Sequence, residues 1–294
     1  MKIFITGGTG FIGRHLIELL QHTAHEITIV ARTIDPSLFS ENINCISIDI
    51  TNETAIKTAI VLAEPDVVFH AAAMSKPNDC EMQKELCNLI NVQSTQHIID
   101  GCKTIGAKLV FMSTDFVFGH NGPYKETDNY CPVNYYGESK VLAEKLVLNS
   151  GLHYAIVRTV MVYGKKLSGQ NNTFLHWVKD NLQQQKSIKV FTDQYRSVTY
   201  VNDLCKGIES IIYKRFQGIV HLCGETIFTP FKLAQDVADY FGFNKNLVLP
   251  VTKNSFPEVA VRPQNSVLKI DKARQQLDYA VTPLHTVLPQ IFGE

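Results

Sequence analysis

The chain has 294 residues, 45% hydrophobic and 19% charged, and its 28 Lys plus Arg balance 28 Asp plus Glu for a formal net charge of zero. That length is enough to bury a substantial core in one or two domains, and the charge balance argues against a nucleic-acid-binding or anionic-membrane face. Seven scattered cysteines, at 45, 80, 87, 102, 131, 205 and 223, form no C-x-x-C pair and read as thiols in a reducing cytosol. No leader precedes the first apolar strand and no apolar run reaches membrane-spanning length, so a cytoplasmic protein is expected. His22 and His25 form an H-x-x-H without a carboxylate or cysteine cluster, and no metal site is expected.

In chain order, an apolar run over 2–5 breaks into glycines at 7, 10 and 13 and then into an amphipathic stretch over 14–20. This is strand, tight turn, helix. The glycines allow a sharp turn and close approach of the backbone to a pyrophosphate, and the helix start favours negative charge. Gly7, Gly10, Phe11, Ile12 and Gly13 are therefore cofactor-binding candidates. A second strand over 26–31 ends in Ala31-Arg32 at the point, about 20 residues past the glycines, where an acid would bind the adenosine ribose. An arginine there suits a 2′-phosphate, and Arg14 offers a second positive charge; NADP is preferred, with NAD possible if Asp35 supplies the acid.

A third strand over 44–50 brings Asp49 and Ile50 toward the adenine, followed by a helix over 53–62. The run Val67-Val68-Phe69-His70 reads as a strand buried on both faces, ending in Ala71-Ala72-Ala73, small residues that let a ligand lie against the backbone. A long helix over 81–103 and a fifth strand over 108–112 complete an alternation that predicts right-handed crossovers and an α/β, doubly wound, parallel sheet of Rossmann type.

The fifth strand runs into Ser113-Thr114-Asp115, and a turn-rich loop over 119–132 leads to Tyr135-Tyr136-Gly137-Glu138-Ser139-Lys140 and a helix over 141–148. Tyr136 and Lys140, four apart, share a helix face. A phenol ordinarily titrates near about 10, and a neighbouring ammonium favours its ionised form, which would make Tyr136 a working proton donor or acceptor. Tyr135 is out of register with Lys140, and Ser113 is expected to point away from Thr114.

Taken together, Gly7-x-x-Gly10-x-x-Gly13, Ser113-Thr114-Asp115, Tyr136-x-x-x-Lys140 and Arg158-Thr159-x-x-Val162-Tyr163-Gly164 resemble the extended short-chain dehydrogenase/reductases that act on nucleotide sugars. Within them the chain is most similar to the dTDP-4-dehydrorhamnose reductases, through Ser113-Thr114-Asp115-Phe116-Val117-Phe118, Gly122-Pro123-Tyr124-x-Glu126-x-Asp128 and Arg262-Pro263-x-Asn265-Ser266-x-Leu268. The resemblance implies an NADP-dependent reductase of a 4-keto-6-deoxy nucleotide sugar. Lys140 would bind the nicotinamide ribose and stabilise a Tyr136 phenolate, Tyr136 would protonate the sugar carbonyl oxygen, and Thr114 would hydrogen-bond that oxygen. Dehydratases of the superfamily carry an Asp-Glu pair after the threonine; Phe116 follows Asp115 here, which argues against dehydration. An epimerase, and a non-catalytic NADP-binding regulator resembling the methionine adenosyltransferase regulatory subunit, remain the alternatives.

Beyond 150 the alternation weakens: a strand over 154–160, a polar loop over 164–172, a helix over 173–184, a strand over 197–201, helices over 203–214 and 230–242, and an irregular segment over 250–263. Asp203 reads as an N-cap. Arg196 and Arg262 suit bidentate binding of a diphosphate and, with Thr114 and Asp115, are the substrate-binding candidates. The expected division is an NADP-binding domain over 1–164, with 191–222 returning to it, and a smaller C-terminal α/β substrate lobe from 165–190 and 223–294; a homodimer is compatible with this plan.

Overall fold

The structure, a computed structural model, describes residues 1–255 and 258–293. The first half runs β1 (Lys2–Thr6), α1 (Phe11–Leu20), β2 (Glu26–Ala31), β3 (Ile43–Ser47), α2 (Glu53–Ala63), β4 (Val67–His70), α3 (Pro77–Met82), α4 (Lys84–Asn88), a π turn over Leu89–Gln93, α5 (Ser94–Ile105), β5 (Lys108–Thr114) and α6 (Tyr135–Leu148). The second half runs β6 (Tyr154–Thr159), β7 (Val162–Tyr163), α7 (Phe174–Gln183), β8 (Ile188–Phe191), β9 (Arg196–Ser197), β10 (Thr199–Tyr200), α8 (Val201–Tyr213), β11 (Gly218–His221), β12 (Ile227–Phe228), α9 (Pro230–Phe241), β13 (Val248–Val251), α10 (Asp271–Leu277) and α11 (Leu284–Phe292).

Seven strands pair in the order β11-β6-β5-β4-β1-β2-β3, each pairing parallel. Every residue of β4 and β5 is buried, as in a sheet covered on both faces. One face packs Ile3, Ile5, Leu16, Leu204, Ile208 and Leu277 in a common core; the other packs Phe4, Val68, Ile56, Ile98, Phe111 and Val147. The chain leaves β1 toward β2 and β3, then crosses back to β4 on the other side of β1. Ligands bind at such a switch point, outside the C-terminal strand ends.

A second lobe has its own core, with Leu175, Val178 and Leu182 of α7 against Leu233 and Val237 of α9 and Leu288 of α11. The segment over 191–222 delivers β11 to the edge of the main sheet beside β6. Within 223–294, however, Leu268, Ile270, Ala273, Leu277 and Tyr279 pack into the sheet's core, so that stretch is divided between the two.

Several boundaries differ from the sequence reading. Gly10 is already extended and caps α1, so the helix begins at Phe11, and β3 ends at Ser47, leaving Asp49 and Ile50 in the following turn. The single helix over 81–103 is instead α3, α4, a π turn and α5. Gln83 leaves helical geometry, and the Asn91 side chain pairs with both the N–H and C=O of Met74, at 2.8 and 3.0 Å, anchoring the π turn to the end of the β4 segment. The strand over 197–201 is two short pieces, and Val201 opens α8. Asp203 is no N-cap. It lies inside the first turn of α8 and accepts from the Thr282 N–H and hydroxyl at 2.7 and 2.8 Å, tying α8 to the segment ahead of α11. In the irregular segment over 250–263, Pro250 lies in β13, paired with β8, and residues 256 and 257 lie outside the described residues.

Candidate active site

The glycine turn is packed where the sequence places it. Gly7 has φ 73°, in the left-handed region, and a Cβ there would lie 2.7 Å from the Ala72 nitrogen; one on Gly13 would lie 2.3 Å from the Gly7 oxygen. Gly10 differs: a Cβ would meet only the Gly7 oxygen, at 3.2 Å, so this residue opens onto free space. No side chain caps α1. Its first-turn N–H groups therefore suit an anionic partner, and a dinucleotide pyrophosphate fits this cradle.

One cleft of about 1130 Å³ runs along the C-terminal edge of the sheet. Gly7, Gly10, Phe11, Ile12, Gly13, Arg32, Asp49, Ile50, Ala71, Ala72 and Ala73 line one end; Thr114, Asp115, Tyr136 and Lys140 the middle; Arg196 and Arg262 the end toward the second lobe. Asp49 binds the Thr51 N–H and hydroxyl at 2.9 and 2.8 Å, which, with the Arg32 charge, holds its carboxyl below the usual range. Asp35, the alternative ribose acid, caps the turn over Pro36–Leu38 through Ser37 and is absent from the lining. Arg14 is absent too: its guanidinium lies 4.7 Å over the Phe39 ring.

Asn134 caps α6 by accepting from the Gly137 N–H at 2.9 Å, which sets Tyr136 and Lys140 on the turn facing β5. Tyr135 faces elsewhere, with its N–H on Glu81 at 3.0 Å and Lys84 over its ring. Lys140 Nζ donates to the Met112 carbonyl at 2.7 Å and sits 4.0 Å over the Phe111 ring. Burial pulls this ammonium down to about 7. The Tyr136 phenol, beside the edge of Phe116 at 5.5 Å, is pushed well above its usual range, first by burial. Thr114 beside it pulls the other way, and the Asp115 charge pushes it further up. The expected lowering of the phenol by Lys140 is thus not met in this geometry: the amine is turned to Met112, and desolvation dominates.

Thr114 departs from expectation as well. Its hydroxyl donates to Asp115 Oδ1 at 3.1 Å and accepts from the Phe116 N–H at 3.2 Å, so its proton is not presented to the cleft. Ser113 points to Glu144 instead. Asp115 receives the Ser266 hydroxyl and lies 4.0 Å from Arg196 Nε; burial raises its carboxyl, and Arg196 opposes this. Arg196 spends its other donors on the Tyr195 and Pro263 carbonyls at 2.8 and 2.7 Å. Arg262 pairs with Glu258 at 3.0 Å and reaches Asn78 and the Ala260 carbonyl, both at 2.7 Å.

The sequence reading missed the pair behind this site. Glu144 and Arg158, both buried, are joined at 2.7 Å and 3.0 Å, and Tyr130 adds its hydroxyl to Glu144 at 2.8 Å. Met74, Gln170 and Gln194 also line the cleft. Gln194 had a signal, its neighbour Arg196, and Gln170 lies in the polar, glycine-containing loop over 164–172; Met74 had none. Among the described residues no group of His, Cys, Asp and Glu is placed to hold a metal, and no helix is long and apolar enough to cross a membrane.

The chain's full length, 1–294, matches the family of the RmlD substrate binding domain. It is 30% identical over 282 residues to methionine adenosyltransferase 2 subunit beta of Rattus norvegicus, covering 92% of this chain and 81% of that one. It is 29% identical over 287 residues to the dTDP-4-dehydrorhamnose reductase of Mycolicibacterium smegmatis, covering 96% and 81%. The crystal structure of dTDP-4-dehydrorhamnose reductase from Bacillus anthracis in complex with NADP superposes with a TM-score of 0.84 at 29% identity, covering 99% of this chain and 98% of that one.

Proposed function

The chain belongs to the RmlD substrate binding domain family, and from that premise we propose that it is an NADP-dependent reductase of a 4-keto-6-deoxy nucleotide sugar. One observation carries the reading: a single cleft joins an anion-ready glycine turn, a half-buried Tyr136 beside the buried Lys140, and the two arginines Arg196 and Arg262. The relatives named as dTDP-4-dehydrorhamnose reductases support the substrate class. We assign the nucleotide domain to 1–164 with 191–222, the substrate lobe to 165–190 with 223–294 apart from the stretch packed on the sheet, and the protein to the cytoplasm.

In this reading Gly7, Gly10 and the start of α1 hold the pyrophosphate, Arg32 the 2′-phosphate, and Ala71 to Ala73 leave room for the dinucleotide against the sheet edge. Bound NADPH supplies the hydride. Tyr136 gives its phenolic proton to the sugar carbonyl oxygen, an oriented-acid contribution of about 10²- to 10⁴-fold. Lys140 orients the nicotinamide ribose, and Arg262, at the mouth of the second lobe, holds the diphosphate. Holding donor and carbonyl together contributes about 7–11 kcal/mol of the barrier.

The test is NADPH oxidation across a panel of 4-keto nucleotide sugars, comparing wild type with Tyr136→Phe. Turnover that collapses in the variant is the expected result, and full turnover in Tyr136→Phe removes it as the acid. The likeness to methionine adenosyltransferase 2 subunit beta favours a second reading, a non-catalytic NADP-binding regulator. Tight NADPH binding with no turnover on the whole panel would establish that reading over the first.

A further inference from the structure

Three consecutive residues of the second half lie across the starts of two helices of the first. The Asn78 side-chain oxygen, in the first turn of α3, accepts from the Ala260 N–H at 3.3 Å and from Arg262 Nη1 at 2.7 Å. Between these two, the Val261 carbonyl accepts from Asn134 Nδ2 at 2.6 Å. Ala260 is 1% exposed, whereas Val259 and Val261 are 59% and 54% exposed, so the strap over 260–262 is held by Ala260 and its backbone and turns both valines outward.

Asn134 has two tasks. Its oxygen takes the Gly137 N–H at 2.9 Å and so caps α6, two residues ahead of Tyr136, while its nitrogen holds the strap. The partners fix which end of the amide is which, because a backbone N–H only donates and a carbonyl only accepts. The residue is 5% exposed, so neither end opens to bulk water.

We propose that Asn134 is a positioning residue that latches the strap to the start of α6, and so fixes Arg262, the diphosphate ligand of the proposed reaction, relative to the acid Tyr136. The inference rests on that reading of Arg262. The strap also orients the guanidinium. Nη1 is taken by Asn78, by the Ala260 carbonyl at 2.7 Å and by Glu258 at 3.0 Å, whereas Nε and Nη2 have no partner among the described residues. Arg262 lines the cleft and Glu258 does not, so the carboxylate holds the guanidinium from outside and leaves the edge that a bidentate phosphate uses. A strap that came loose would move this anion site against the phenol, and a misplacement of about 1 Å can cost about 10²-fold in rate.

The test separates the two ends of the amide. Aspartate and serine cap helices as well as asparagine does, but neither replaces the bond to Val261: aspartate has no proton to give, and serine is too short. Hydrogen exchange read by mass spectrometry on Asn134→Asp and Asn134→Ser should show the amides over 259–262 exchanging about fivefold or more faster, with those over 137–148 at the wild-type rate. Unchanged exchange over 259–262 in both variants overturns the latch. So does exchange that rises over 137–148 as much as over the strap, the mark of a helix cap and nothing more. Calorimetric titration with dTDP and UDP should show both variants binding the nucleotide about 5- to 10-fold more weakly, with NADPH affinity unchanged. Weaker binding in the aspartate variant alone is charge repulsion and overturns the positioning role. On a turned-over sugar, kcat falls as KM rises, and a rise in KM with kcat unchanged overturns the link to Tyr136. Failure of the wild type to bind either nucleotide counts against the proposed role of Arg262, and the exchange rates then decide the latch.

Discussion

Lys140→Met isolates the energetic cost of the buried amine. The side chain is 3% exposed, and burial takes its pKa from 10.5 to about 7, with the Glu144 charge offsetting only part of the effect. In the unfolded chain the same group titrates at about 10.4. The sign follows from proton counts. Below about pH 7 the lysine is protonated in both states, and the full cost of the buried charge is present. Between there and about 10.4 the unfolded state holds one more proton, so wild-type stability rises with pH by up to about 1.4 kcal/mol per unit, or roughly 4–5 kcal/mol across the window. Methionine does not titrate, and the other groups largely cancel in the difference. Urea unfolding of both proteins at pH 6, 7.5 and 9 should show the variant's relative stability greatest at pH 6 and falling steadily above about 7. A difference flat to within about 0.5 kcal/mol from pH 7 to 9 would refute the argument.

Three further outcomes follow from single contacts. Glu144→Ala leaves the Arg158 guanidinium buried without its partner and should cost about 3–5 kcal/mol in urea unfolding, whereas Glu144→Leu with Arg158→Met should recover most of it; additive losses would contradict this. Arg32→Ala should weaken NADPH about 10- to 100-fold more than NADH by titration calorimetry, the worth of charge-assisted bonds to a phosphate, and equal losses would remove the 2′-phosphate argument. Gly13→Ala drives a methyl onto the Gly7 oxygen and should destabilise the chain by about 1–3 kcal/mol while weakening NADPH; wild-type melting and affinity would mean the turn is looser than its 2.3 Å approach implies.

The sheet was legible because its signal is local. Val67-Val68-Phe69 is apolar up to His70, and the strand is buried at every position, as a covered parallel strand must be. The cleft was legible for the same reason one step removed: parallel strands end at one edge, so residues just past β1, β2, β4 and β5 meet there whatever the loops do. What stayed hidden is set by pairings across the chain. Asp115 meets Ser266, 151 residues on, and Asp203 meets Thr282, 79 residues on; neither has a spacing to betray it. The π turn over Leu89–Gln93 is held by Asn91 bonding Met74, a tertiary contact that a continuous helical pattern does not show. Lys140 fails differently: four-residue spacing gives a shared face, but the amine's direction is chosen by the Met112 carbonyl.

That failure bears on the choice between enzyme and regulator. Binding a dinucleotide needs the glycines, Arg32 and the small residues after β4, all at one end of the cleft. It does not need a layer of buried charge around α6 and the end of β5, yet Lys140, Asp115 with Arg196, and Glu144 with Arg158 form one. Each buried charge costs desolvation free energy, and well-packed apolar residues in its place are often neutral or stabilising. A protein that only senses the cofactor would be no worse, and often more stable, with an apolar layer there. A desolvated, polar centre surrounding a phenol is instead the kind of stability cost that catalysis imposes. The pH slope of Lys140→Met measures that cost directly at one member of the layer: a steep slope places several kcal/mol on the amine one helical turn from Tyr136, and a flat one returns the argument to the regulator.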